Sequence, residues 1–160
     1  MPKNFLEWML LLYSVGISHA AGAIGSLFTI EAIPNWYAML VLPSFAPPNW
    51  IFAPVWLTLY TVMGVALFLV WRKGKWLFDV KWGVRVFFFH LVINALWSIM
   101  FFGLQNPLYG LITIALLAVS ILATMYFFFR ASKIAGLLLV PYLIWVLFAS
   151  YLNYSIWTLN

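Results

Sequence analysis

The spacing between charged residues constrains this chain more than any other feature. Between Glu7 and Glu31 lie 23 uncharged residues, between Glu31 and Arg72 lie 40, between Arg85 and Arg130 lie 44, and 27 follow Lys133. A helix needs about 20 apolar residues to cross the hydrocarbon core of a bilayer. The first and last runs each hold one span. The 44-residue run is interrupted by Gln105-Asn106-Pro107 and holds two. The 40-residue run opens with a proline-rich stretch, Pro34 to Pro48. Proline lacks the N–H that a continuing helix requires, so this half reads as a loop and the rest as one span. The pattern predicts an all-α integral membrane protein, a five-transmembrane-helix bundle with spans at about 5–28, 47–71, 83–103, 107–129 and 134–157. Residues 1–160 read as one membrane domain, with the first loop, about 29–46, as a lid. No period-two alternation supports barrel strands.

Composition closes off the soluble alternatives. Only 7% of residues are charged, against about a quarter in soluble domains. With no cysteine, disulfide scaffolds and zinc–cysteine sites are excluded. Eight basic residues outnumber three acidic ones, but they form short clusters between apolar runs rather than the basic face a nucleic acid would need, so no nucleic-acid partner is expected.

Five spans place all eight basic residues on one side: Lys3, the loop from Arg72 to Arg85, and the Arg130–Lys133 turn. Basic loops face the cytoplasm, which predicts a cytoplasmic N terminus and an outside C terminus. Trp71, Trp76 and Trp82 then fall at one interface, and Trp36, Tyr37 and Trp157 at the other. The N terminus also has the outline of a signal peptide ending at Ser18-His19-Ala20. The apolar run continues past that point to Phe28, and Glu7 interrupts the basic start, which favours a span.

Some residues exceed what membrane packing requires. Trp50, Trp56, Trp97 and Trp145 fall inside predicted spans, where an indole N–H needs a partner. Together they suggest an aromatic-lined cavity. Ser18, Gly22, Gly25, Ser26 and Thr29 set small groups along helix 1, serving close helix packing or room for a flat ligand. His90, Asn94 and Trp97 share a face, as do Pro141, Trp145, Ala149 and Asn153. Polar groups at this depth face the bundle interior. No paired carboxylates, nucleophile motif or metal-ligand cluster stands out. His19 and His90 lie at depths too different to ligate one iron together.

These residues resemble the translocator protein family, also called tryptophan-rich sensory proteins or peripheral-type benzodiazepine receptors. The resemblance is carried by Gly22-Ala-Ile-Gly25-Ser-Leu-Phe-Thr29, Trp36-Tyr37, Leu42-Pro43-Ser-Phe45-Ala-Pro47-Pro48-Asn-Trp50 and Pro54-Val-Trp56 with Leu59-Tyr60 and Met63-Gly64. It continues through Asn94, Trp97, Phe101-Phe102-Gly103, Pro141-Tyr142-Leu-Ile-Trp145, Ala149 and Leu152-Asn153-Tyr154. It implies a five-helix bundle, often a homodimer, in the plasma membrane of a bacterial cell. It also implies a cavity among the helices for porphyrins (protoporphyrin IX or haem) and drug-like hydrophobic ligands, covered by the first loop. No cofactor or metal is required. The implied ligand-binding residues are Trp36, Trp50, Tyr60, Asn94, Trp97, Tyr109, Trp145 and Ala149.

Three functions are then expected to compete: a porphyrin receptor or translocator, a light-dependent porphyrin-degrading enzyme using Trp36 and Trp145, and a non-enzymatic membrane scaffold. Three departures stand out. Phe45 and His90 replace the family's frequent tryptophan and glutamine, and no basic residue follows Tyr154, which weakens a sterol assignment.

Overall fold

The computed structural model describes residues 2, 4–74 and 76–160. Lys3 and Lys75, which contribute to the predicted basic side, lie outside them. The described chain forms α1 (Phe5–Asn35), α2 (Phe52–Trp71), α3 (Phe78–Ser98), α4 (Pro107–Ala131), α5 (Lys133–Leu138) and α6 (Val140–Leu159). Five segments are long and apolar enough to cross a membrane, α5 and α6 counting together as one from Lys133 to Leu159.

Local chemistry sets the helix ends. Asn4 caps α1, its side chain accepting from the Glu7 N–H. Asn106 caps α4 by accepting from the N–H groups of Leu108 and Tyr109, and Pro107 occupies the first turn, where a missing N–H costs nothing. The residue before this cap, Gln105, has a φ of 51°, a left-handed turn conformation in which the chain reverses between α3 and α4.

Three predicted boundaries move. Helix 1 runs to Asn35, past Glu31 and through Pro34, so the first loop is shorter than 29–46. Pro34 is the penultimate residue of α1 and forfeits a single backbone bond there, while Trp36 N–H still reaches Ala32 O at 2.9 Å and Asn35 Nδ2 donates to Glu31 O at 2.8 Å. Helix 3 begins at Phe78, and its last turn, Ile99–Gly103, is a π-helical turn closed by Leu104 N–H on Ile99 O at 2.8 Å. The last span, read as one helix over about 134–157, is broken at Leu139 into α5 and α6. Pro141 lies in the first turn of α6, where its ring no longer obstructs a preceding carbonyl.

Lipid offers little hydrophobic drive for helix association, so packing geometry and polar contacts carry it. Among the described residues, two ion pairs tie helix ends together: Arg72 with Glu7 at 3.1 Å and Arg130 with Asp79 at 2.9 Å. They join the start of α1 to the end of α2 and the start of α3 to the end of α4. Arg72, Lys73, Lys81, Arg85, Arg130 and Lys133 therefore gather at one end of the bundle. Midway along α2, Gly64 meets α1 backbone to backbone: a Cβ there would collide with Ser14 and Val15.

Gly64→Ala should therefore push α1 from α2 and destabilise the protein by about 1–3 kcal/mol, the usual cost of overpacking. Gly16, with nothing within 4 Å of a built Cβ, is the control. Thermal denaturation in detergent should show a lower midpoint for Gly64→Ala and none of that loss for Gly16→Ala. Equal midpoints for the two variants would rule out the backbone contact.

Candidate functional site

A cavity of about 580 Å³ lies among α1, α2, α3 and α6, within the roughly 300–1,000 Å³ of ordinary ligand sites. One wall is a run of rings. Tyr60 and Trp56 stack at 5.4 Å with 27° between planes, Trp56 and Trp97 at 6.3 Å and 29°, and Trp97 and Phe101 at 5.7 Å and 20°. All four line the cavity. Their order comes from the helices: Phe52, Trp56 and Tyr60 recur every four residues on α2, while Trp97 and Phe101 are one turn apart where α3 passes into its π turn.

Small residues of α1 form another side. Gly22, Ser26 and Thr29 of α1 line the cavity, whereas Ser18 and Gly25 turn into the bundle. A Cβ on Gly22 would collide with the Tyr60 ring, and one on Gly25 would meet Ser98. The small residues of α1 thus serve two faces, one for the cavity and one for helix packing. Ala23 and Ile30 of α1 and Ala53 and Leu57 of α2 line the cavity while being exposed themselves. The cavity therefore reaches the bundle surface between these helices. Tyr37 closes it at the first loop, its ring 5.9 Å from Phe102.

Several polar groups at the cavity are held in two chains. Tyr60 O–H donates to Asn94 Oδ1 at 2.6 Å, and Asn94 Nδ2 donates to the Tyr142 hydroxyl at 3.0 Å. Trp97 Nε1 donates to Asn153 Oδ1 at 3.3 Å, and Asn153 Nδ2 donates to Pro107 O at 2.8 Å. Side chains that read as isolated polar residues in the sequence are joints between helices.

Of the eight sequence-assigned residues, Tyr60, Asn94, Trp97 and Ala149 line the cavity. Trp36, Trp50, Tyr109 and Trp145 do not. Trp36 lies behind Phe101, edge-on at 5.3 Å. Trp145 lies behind Phe52, edge-on at 5.9 Å, with its buried Nε1 unpartnered. A four-residue step on a helix drifts by about 40°, so Ala149 and Asn153 point inward while Trp145 turns past the wall. Trp50 is 73% exposed at the start of the second span, and Tyr109 is exposed on the first turn of α4. His90 shares a row with Asn94 but faces α4, its Nδ1 3.5 Å from Thr124 Oγ1. Sequence reading left Phe101 and His19 out of the site, and counted Trp56 among the cavity's tryptophans without assigning it to the ligand. The four-residue repeat of Phe52, Trp56 and Tyr60 carried the signal for Trp56. Among the described residues no cluster able to hold a metal ion is present.

Replacing Asn94 by leucine should strand the Tyr60 and Tyr142 hydroxyls and cost about 1–3 kcal/mol, the range for an unmet buried hydrogen bond. Adding Tyr142→Phe to Asn94→Leu should recover part of it. Denaturation that finds Asn94→Leu neutral, or no recovery in the double variant, would break the proposed joint.

Known proteins place this arrangement. The sequence profile of the TspO/MBR family matches residues 14–158. The chain is 47% identical over 141 residues to the tryptophan-rich protein TspO of Archaeoglobus fulgidus, covering 88% of this chain and 90% of that one. It is 47% identical over 164 residues to the protein of the same name from Chlorobaculum tepidum, covering 100% and 99%. The human translocator protein is 35% identical over 138 residues, covering 86% of this chain and 82% of its own. With five membrane-length helices and a family match over nearly its whole length, the chain is an integral membrane protein of the TspO/MBR family.

Proposed function

We propose that the protein is a membrane receptor or translocator that binds porphyrins and related flat hydrophobic ligands in the cavity between α1, α2, α3 and α6. The observation that carries this reading is the ring wall of Tyr60, Trp56, Trp97 and Phe101 facing a space of about 580 Å³. Offset stacking rewards a planar partner by about 0.5–1.5 kcal/mol per ring beyond simple burial. A protein serving only as a scaffold needs helix contacts, not an open aromatic chamber. The ligand requires no resident cofactor, and the reading extends to a homodimer in the plasma membrane of the cell. The N terminus is cytoplasmic and the C terminus outside, since the described basic residues share one end of the bundle.

A second reading, light-dependent porphyrin breakdown, draws support from the two tryptophans that the resemblance implicates. Trp36 and Trp145 each stand one ring behind the cavity wall, through Phe101 and Phe52. An excited porphyrin in the cavity would have a redox-active indole within one aromatic neighbour on two sides.

Titrating purified protein with protoporphyrin in the dark, then illuminating it with product analysis, tests both. Binding is expected to saturate, and Ala149→Leu, which adds three heavy atoms to the lining, should weaken it about fivefold or more, since overpacking costs about 1–3 kcal/mol. Unchanged affinity in a folded Ala149→Leu variant would move the ligand elsewhere. New photoproducts that disappear in Trp36→Phe and Trp145→Phe would establish the second reading, and their absence on illumination would leave binding alone. Orientation is checked with single cysteines in this cysteine-free chain. Lys73→Cys and Met39→Cys should label from opposite faces of intact cells, and labelling from one face would overturn the topology.

A further inference from the structure

We propose that His19 selects ligands bearing a carboxyl group, its imidazole Nδ1 accepting the carboxyl O–H inside the cavity. The inference rests on the reading of the cavity as a tetrapyrrole site and deepens it: the favoured ligand is a flat apolar ring system with a free acid at its edge.

His19 is the one basic side chain among the described residues lining the cavity, and none of those residues is acidic. It lies fourteen residues beyond Phe5 on α1, about 21 Å along the helix, at bilayer depth. Its ring lies 6.0 Å from Tyr60 and tilted by 55°, so it stands at the end of the ring wall rather than within the stack. A ligand lying flat on that wall would present its edge there.

The hydrogen bonds around His19 determine which ring nitrogen remains. Thr61 Oγ1 lies 3.0 Å from His19 Nε2 and 2.9 Å from Leu57 O. The threonine hydroxyl has one proton, and the Leu57 carbonyl, which can only accept, takes it. Thr61 must then accept from Nε2–H, which leaves the lone pair on Nδ1. Tyr37, Asn49 and Ser98 also line the cavity but none of them carries a basic nitrogen, and several of its other polar groups are already engaged. Ser26 and Thr29 donate to carbonyls of their own helix, Tyr60 donates to Asn94, and Asn94 and Asn153 are each bonded at both ends of the amide.

A charged carboxylate at this depth is costly. A neutral acid arriving through the opening between α1 and α2 avoids that cost. With the shared proton on either partner, the acid–imidazole pair carries no net charge. A methyl ester has no proton to give and gains nothing from Nδ1.

The test compares protoporphyrin with its dimethyl ester, titrated in the dark into wild type, His19→Phe and His19→Gln, with thermal midpoints measured on each. Wild type should bind the acid about tenfold or more tightly than the ester, the scale of a buried hydrogen bond made rather than left unmade. His19→Phe should collapse that ratio by weakening the acid far more than the ester. His19→Gln, whose amide oxygen also accepts an O–H, should restore part of it. A wild-type ratio near one, or a His19→Phe variant that weakens acid and ester alike, would overturn the role of His19 while leaving the porphyrin reading standing. Wild type that binds neither compound would overturn both.

Discussion

The bundle depends on one amide. Asn94 accepts a proton from Tyr60 of α2 and donates one to Tyr142 of α6, so a single side chain on α3 joins three helices. A soluble protein can leave such groups to water. In hydrocarbon they must find one another, because the alternative is a buried polar group without a partner. The joint also shapes the site: Tyr60 and Asn94 line the cavity, while Tyr142 is fully buried behind them. Holding the Tyr60 ring by its hydroxyl fixes one end of the ring wall, and the stack with Trp56 and Trp97 follows from it. Asn153 repeats the device a turn further on, joining Trp97 to the first residue of α4.

Close backbone approach supplies the second constraint. Gly64 lets α1 touch α2, and Gly22 lets the Tyr60 ring lie against α1. These helices are drawn together at Gly64, while along Ala23, Ile30, Ala53 and Leu57 they leave the cavity open at the surface. The loop is held over the far end of the bundle by particular contacts. Phe45 stacks on Tyr151 at 4.9 Å, and the Asn160 side chain pairs with both backbone groups of Val41. Phe45, where the family frequently has tryptophan, is thus still an aromatic contact between loop and bundle.

Much of this was legible in the sequence. Uncharged run lengths gave the number of spans, because a bilayer imposes a minimum length that few other constraints imitate. Trp97 was legible as a lining residue from its place inside a predicted span, and Tyr60, Asn94 and Ala149 through the family resemblance. What was not legible depended on angle and depth. Whether Trp145 faces the cavity or stands behind Phe52 turns on the helical drift between positions 145 and 153, which residue type does not encode. Pro34 read as a helix breaker but lies where only one bond is lost. His19 was weighed as a metal ligand and set aside. Its place at the end of the ring wall depends on the approach of α2, and its tautomer on Thr61.

The central claim is that a flat ligand lies against Trp56 and Trp97. The most direct measurement is fluorine NMR of protein labelled with fluorotryptophan, its resonances assigned by single Trp→Phe variants, with protoporphyrin added in the dark. The Trp56 and Trp97 resonances should move strongly, because stacked rings shift one another's signals. Those of Trp76 and Trp82, near the basic end of the bundle, should stay in place. Shifts confined to Trp76 and Trp82, with Trp56 and Trp97 unmoved at saturating ligand, would contradict the account.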